Sequence, residues 1–486
     1  STQLPTMDLK FVLVFAILCA TVLCLPTLQK PSLKAMLDKI PAQTKNDIAE
    51  FKAANPDDLT FDCAICGIAV NELEGLLLEN ITEAEVTEKL TEDLCNSLAG
   101  DLKTICLTVA NTIPDIFKML TQQWTVSRIC YEIDLCPPFK THVDPSPVNT
   151  YLINLDLAPE DRYKEVCSVP AFKSNALFLV NTVKKLLGDV APVISDIGDA
   201  LNYFYFPTEY AAELRGCAKQ IGISPGWLSL LNLGYELSDA CTSIVAQGKD
   251  GTIYHARNMD FWAGMGFTDT LKDITYEAHY QRGNKTIFKT TTLAGYVGAL
   301  SGQKPGEFSI SVNTRFYPGG LKEFFYEAIA AIEEKNASLV TFLSREVLQN
   351  ENDYPAAVEQ LSDDLLIADV YYIIGGNKAG QGTVLSRNRK DPSNHPWVLG
   401  DEPGKWYLLQ TNYDHWNPAP WFDDRRVPGN RHMDALGQDN VNAQALLKIL
   451  SEKPTLNLQS TFSMMSVPKT GQYSSTTRWC PYPCTQ

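Results

Sequence analysis

The 486-residue chain is short of positive charge, of histidine and of long apolar runs, and each shortage removes a class of function. Its 41 lysines and arginines are outnumbered by 57 aspartates and glutamates, a net charge of −16. Nucleic-acid affinity is carried by Lys and Arg, so no nucleic-acid partner is expected. Beyond the apolar run 11–18 nothing is long enough to span a bilayer, because the segment 176–180 is soon broken by Lys184, Lys185 and Asp189. Six histidines are present, and neither His255 nor His415 sits in the local context of a cysteine–histidine dyad. Cys63-x2-Cys66 lacks the second close Cys or His pair that zinc requires, and no βαβ pattern surrounds it as a redox motif would need. No metal and no cofactor are expected.

What is present is an odd number of useful thiols. Residues 7–24 read as a secretory signal, with Asp8 and Lys10 before the apolar run and small residues after it, and residues 1–6 precede the candidate initiator Met7. Loss of Cys19 and Cys24 with that signal leaves eleven of the thirteen cysteines. Six between Cys63 and Cys136 form a self-contained set, Cys167 and Cys217 can pair, and Cys480 and Cys484 are close neighbours. Cys241 is left over, and an odd thiol in a secreted protein is a candidate nucleophile. A free cysteine often just packs, so its setting decides. Residues 242–246 and 252–256 are strand-like and flank a glycine turn at 248–251, which predicts a hairpin whose far end carries Arg257 and Asp260 back beside the thiol.

In chain order, residues 25–60 read as a pro-segment or linker punctuated by Pro26, Pro31, Pro41 and Pro56. Residues 61–138 form a cysteine-framed unit in which Ile65, Ile68, Ala69, Leu73, Leu76 and Leu77 recur at helical spacing, followed by Val86, Leu90 and Leu94. A proline-rich link follows, then a mostly helical stretch over 160–237 and the hairpin. Strands are expected at 287–300, 308–315, 370–374, 383–387 and 406–411, with helices at 321–348 and 356–366. Pattern alone gives an α+β class. Sequons at Asn80, Asn284 and Asn336 agree with passage through the secretory pathway.

Cys241-Thr-Ser-Ile-Val followed by Arg257-Asn-Met-Asp260-Phe resembles the start of the β-chain of acid ceramidases and N-acylethanolamine acid amidases, a family of N-terminal nucleophile hydrolases. The resemblance runs over 151–484. It includes Ile153-Asn-Leu-Asp-Leu157, Ala294-Gly-Tyr-Val-Gly298, Ile374-Gly-Gly-Asn377, Thr411-Asn-Tyr-Asp-His-Trp416 and Asp423-Asp-Arg-Arg426. It implies an αββα sandwich split at Ala240–Cys241 into an α-chain, 139–240, and a β-chain, 241–486, which remain together as a heterodimer. It also implies Cys241 as nucleophile with Arg257 and Asp260, Asn412 as oxyanion donor and Arg425 near the site. The freed α-amine of Cys241 then serves as base. Amine and thiol ordinarily titrate near 8, so an acid-working enzyme needs a cation to depress both. Arg257 is assigned that role, with Asp260 expected to orient the amine and to hold Arg257.

The six-cysteine frame resembles the saposin B-type fold. That likeness implies Cys63–Cys136, Cys66–Cys130 and Cys95–Cys106 among the fifteen pairings that spacing alone permits. The expected architecture is therefore a small disulfide-stapled all-α saposin-like domain ahead of the sandwich. Two features depart from the family. Thr314 stands where relatives generally carry a glutamate, and no cysteine matches the one that ties the two chains of ceramidases. Cys480-Pro-Tyr-Pro-Cys484 favours ceramidases, whereas Asn412-Tyr-Asp-His-Trp and Pro418-Ala-Pro420 lean toward the amidases.

The expected function is a lysosomal or secreted acid amidohydrolase of N-acylated lipids, ceramide first, N-acylethanolamines second. A non-catalytic, lipid-binding or membrane-disrupting protein is the alternative. Twelve acidic residues against four basic ones between Cys63 and Cys136 should repel anionic membranes at neutral pH. Near pH 4.5, roughly the intrinsic value of a carboxyl group, much of that repulsion disappears. Vesicles containing anionic lipid should therefore co-sediment with the protein more at about pH 4.5 than at pH 7, and equal binding at both would refute acid-permitted docking.

Overall fold

The computed structural model describes residues 60–77, 82–97, 100–122, 124–136, 145–187, 191–234, 239–261, 265–315, 337–389, 396–402, 404–481 and 484. The signal, most of the pro-segment, Asn80, Asn336 and the first part of the helix expected over 321–348 lie outside the described residues. Asn284 is exposed at the tip of a strand hairpin.

The N-terminal module is helical: α1 (Thr60–Leu77), α2 (Glu83–Lys89), α3 (Gly100–Asn111), α4 (Ile113–Thr121) and α5 (Val126–Glu132). On α1, Cys66, Val70, Leu73 and Leu77 recur at intervals of three and four and are buried. They join Val86, Ile105, Val109, Ile116, Leu120 and Ile129 in one apolar core. Disulfides link Cys63 to Cys136, Cys66 to Cys130 and Cys95 to Cys106, so α1 is fastened to the far end of the module. Thr82 and Glu85 form a reciprocal capping box that starts α2.

The main domain stacks two sheets. Strand β1 (Asn149–Asn154) is followed by helices α6 (Pro170–Leu187), α7 (Ala191–Phe204), α8 (Thr208–Ile221) and α9 (Pro225–Gly234). Next come β2 (Asp239–Gln247), β3 (Ile253–Phe261), α10 (Met265–Asp273), β4 (Thr275–Arg282), β5 (Lys285–Leu293), β6 (Ser301–Lys304) and β7 (Phe308–Thr314). Helices α11 (Val340–Asn350) and α12 (Tyr354–Asp363) precede β8 (Val370–Gly376), β9 (Gly382–Arg387), β10 (Trp397–Val398) and β11 (Tyr407–Gln410). Helices α13 (Arg426–Leu436) and α14 (Ala443–Ile449) lead into β12 (Ser460–Val467) and β13 (Gln472–Thr477). One sheet runs β1-β4-β5-β6-β7-β8-β9-β10 and the other β11-β2-β3-β12-β13. Pairing is antiparallel except between β1 and β4.

Alternation along β2 places the sheets. Ile244 and Ala246 face Met433, Leu446 and Ile449 of the covering helices, whereas Val245 meets Tyr371, Ile373 and Val384 of the facing sheet. Helices α11 and α12 pack on β6, β7, β8 and β9, completing the αββα sandwich. The β2–β3 hairpin is longer than the pattern predicts. Its turn is closed by Asp250, which accepts from the Thr252 amide, and by Gly251, whose φ of 79° suits glycine.

The strand expected over 287–300 stops at Leu293, because Gly295 turns the chain at φ 87° and residues 294–300 form a loop. Strands β1, β4, β6, β10, β12 and β13 carry no sequence expectation. Among the described residues no helix is long and apolar enough to cross a membrane.

Candidate active site

Every second residue of β2 and β3 points between the sheets, and this parity assembles the site. Cys241 and Ser243 of β2 share the inner face with His255, Arg257 and Met259 of β3, Cys241 lying opposite Met259 and Ser243 opposite Arg257. Cys241 is fully buried and outside any disulfide. The Arg257 Nη2 donates to Cys241 Sγ at 2.5 Å and to the Val312 carbonyl at 3.3 Å. Its Nη1 donates to the Leu300 carbonyl at 3.1 Å and Ser301 Oγ at 2.8 Å. A guanidinium on a buried thiol favours the thiolate, and the neutral acceptors around it limit the cost of a buried charge.

Asp260 stands three residues after Arg257 and so projects from the opposite face. The expectation that it holds Arg257 fails for that reason. Its oxygens accept from Ser460 Oγ at 2.6 Å and Asn457 Nδ2 at 3.2 Å, and its cation is Arg425, at 3.6 Å. Its backbone lies opposite Ala240, one residue from Cys241. Burial pushes its carboxyl up to about 6, against the opposing pull of Arg425, Ser460 and Asn457.

Arg425 ties the remaining groups together. Its Nε and Nη2 each donate to Asp423 at 2.7 Å, a bidentate pairing. Nη1 donates to the Cys241 carbonyl at 2.8 Å, and Nη2 also reaches Asn412 Oδ1 at 2.9 Å. Burial works against its charge, but Asp423 and Asp260 outweigh burial and keep it protonated. Asn412 Oδ1 accepts from the Cys241 amide at 2.7 Å, and its Nδ2 donates to the Thr314 carbonyl at 2.8 Å. Thr314 thus enters the site through its backbone carbonyl.

Beneath the thiol runs a buried polar chain that the sequence did not signal. His255 Nδ1 meets Ser309 Oγ at 2.8 Å and its Nε2 meets Ser311 Oγ at 2.9 Å. Ser311 donates to Ser243 Oγ at 2.9 Å, and Ser243 to Asn313 Oδ1 at 2.8 Å. Asn313 Nδ2 then donates to the carbonyls of Gln410 and Thr411 at 3.0 and 3.3 Å, the residues leading into Asn412. Burial and Arg257 hold the His255 imidazole down to about 3, so it is a neutral cross-link between the sheets. His415 stacks on Trp397 at 4.0 Å and takes no part in this cluster. Asp423 opens the run Asp423-Asp-Arg-Arg426, and its two-residue spacing from Arg425 is the signal that the sequence offers. Glu74 of α1 had none, yet Asp423 and Arg425 act on its carboxyl, which burial raises well above the usual range.

Residues 241–441 match the model of linear amide C–N hydrolases, choloylglycine hydrolase family, and residues 146–205 that of the beta subunit of N-acylethanolamine-hydrolyzing acid amidase. Acid ceramidase of Pan troglodytes is 36% identical over 354 residues, covering 70% of this chain and 88% of the relative. That of Homo sapiens is 35% identical over 350 residues, covering 69% and 87%. The chain belongs to the acid ceramidase and N-acylethanolamine acid amidase family. A solved Caenorhabditis elegans N-acylethanolamine-hydrolyzing acid amidase ortholog is 32% identical, covers 49% of this chain and 100% of its own, and superposes with a TM-score of 0.44. As a member of this family the protein is an N-terminal nucleophile amidase that hydrolyses N-acyl amides.

The Asp260 carboxyl, raised in the fold, binds a proton there that the unfolded chain has already released between its ordinary 3.8 and about 6. Its contribution to stability is therefore complete below that window and lost as pH rises through it. On a Cys241→Ala background, which lacks the thiol, chemical denaturation should show stability falling by up to about 1.4 kcal/mol per pH unit across this window. Asp260→Asn should flatten the slope; an unchanged slope would refute the assignment.

Proposed function

We propose that this enzyme is an acid amidohydrolase of N-acylated lipids, with ceramide as first substrate, activated by cleavage of its own 240–241 peptide bond. The observation that carries the reading is the Arg257 guanidinium seated on the buried Cys241 thiol, with Arg425 on the carbonyl of the same residue. In self-processing, Sγ attacks the Ala240 carbonyl carbon. The C–N bond breaks, the nitrogen takes a proton and becomes the Cys241 α-amine, and Ala240 remains as a thioester. Water then cleaves the C–S bond, leaving a carboxylate on Ala240 and the thiol on Cys241.

In turnover the α-amine accepts the thiol proton and the thiolate attacks the lipid amide. The departing base takes that proton back, and water hydrolyses the acyl thioester to fatty acid. Asp260, beside position 240, orients the amine. The side-chain amide of Asn412 is the proposed oxyanion donor, on the resemblance to the family. Before cleavage the nitrogen is locked in an amide that donates to Asn412, so the precursor has no base.

The two products of cleavage need no covalent tie. β1 pairs with β4 across the processing point. Glu213 of α8 accepts from Arg345 of α11 at 2.7 Å and from Arg162 at 2.9 Å, and Glu213 and Arg345 are fully buried. Both interactions support a stable α/β heterodimer. The disulfides and the secretory signal read from the sequence support a lysosomal or secreted site of action. The acidic saposin-like module supports action at a lipid surface in acid.

The match of residues 146–205 to the amidase subunit supports N-acylethanolamines as the second reading. Mixed micelles of N-acylsphingosine or N-acylethanolamine at about pH 4.5, with released base and fatty acid measured by mass spectrometry, discriminate the two. We expect release of sphingosine to exceed release of ethanolamine and to vanish in Cys241→Ala. The reverse ratio would favour the amidase reading, and lipid binding without turnover would refute both.

A further inference from the structure

The loop from Thr411 to Arg425 begins with the Asn412 amide and ends with the Arg425 cation, both in contact with Cys241. Between them, at Trp421 and Phe422, it meets the helical module. Phe422, 4% exposed, is part of the same continuous apolar core as Val70, Leu73, Ile116 and Leu120 of the helical module. Beside it Trp421 lies 6.3 Å from the Phe117 ring of α4 and edge-on to Phe422 at 5.4 Å. Helix α1 packs on α10 of the hydrolase domain. The contact reaches the chemistry through the adjacent residue, since Asp423 follows Phe422 and binds Arg425 through both carboxylate oxygens. Glu74 of α1 and Tyr413 lie within electrostatic reach of the same Asp423–Arg425 pair.

A module that served lipid presentation alone would have no need to bury a hydrolase side chain in its own core. We propose that Phe422 is a positioning residue: seated in the core of the helical module, it fixes Asp423 and Arg425 against Cys241 and Asn412. The module is thereby part of the active-site scaffold, besides any work it does on lipid. The inference rests on the reading of Cys241 as hydrolytic nucleophile. It differs from that reading in what it says of a substrate that needs no presentation.

The test uses the full chain and a water-soluble short-acyl amide with a chromogenic amine, which is monomeric and bypasses lipid extraction. Phe422→Ala should lower kcat by about 10-fold to 100-fold, the scale of a small misplacement of reacting groups, with KM nearly unchanged, and Phe422→Leu should recover most of the loss. If Phe422→Ala fails to fold by circular dichroism, Phe117→Ala, on the module side of the contact, decides, with a fall in kcat of a few fold expected. Unchanged kcat in a folded Phe422→Ala, or in Phe117→Ala where that variant decides, overturns the proposal and leaves the module a lipid carrier. A wild-type protein inactive on every N-acyl amide would instead overturn the hydrolase reading, which makes the two failures distinguishable.

Discussion

The structure depends on one buried contact, the Arg257 guanidinium on the Cys241 sulfur. A charge taken out of water costs several kcal/mol unless its donors are met, and the architecture around Arg257 supplies acceptors from the facing sheet: the carbonyls of Leu300 and Val312 and the Ser301 hydroxyl. Two of these lie at the end of the 294–300 loop and the start of β6, so the turn at Gly295 that ends β5 early is what brings them to the cation. The hairpin therefore cannot carry its cation without the second sheet. In this fold the Cys241–Arg257 contact exists only as a property of the sandwich.

A second arginine gives the site its direction. Arg425 has one carboxylate, Asp423, on its own loop and another, Asp260, on β3, and it spends its remaining donors on Cys241 and Asn412. Arg257 thus acts on the sulfur and Arg425 on the backbone of the same residue, from opposite faces of one sheet. That division fits the proposed mechanism, in which a single cysteine first cuts its own chain and then serves as a base-assisted nucleophile: the group that would change at cleavage is the nitrogen, which donates to Asn412, itself held by Arg425. The polar chain from His255 to Asn313 holds the strand end that presents Asn412. It does so with groups that stay neutral until pH falls to about 3, where His255 takes up a proton.

Much of this was legible in the sequence. The parity of cysteines singled out Cys241, and the glycine turn between two β-branched runs gave the hairpin that returns Arg257 to it. The same period-two rule separates Arg257 from Asp260, three residues apart and therefore on opposite faces, so the expected pairing of the two does not form. Strand β12, Ser460-Thr-Phe-Ser-Met-Met-Ser-Val467, is buried along its whole length and so shows no alternation to read. Glu74 and Phe422 could not be found at all from local pattern, because both lie where the helical module meets segments far away in the sequence.

The most direct test of the account is the intact mass and N-terminal sequence of the purified protein before and after incubation at about pH 4.5, beside Cys241→Ala and Arg257→Met. A new chain beginning at Cys241, absent from Cys241→Ala and slowed at least about 10-fold in Arg257→Met, is the predicted result. A chain that stays whole, is cut elsewhere, or is processed at the same rate without Arg257 would contradict it.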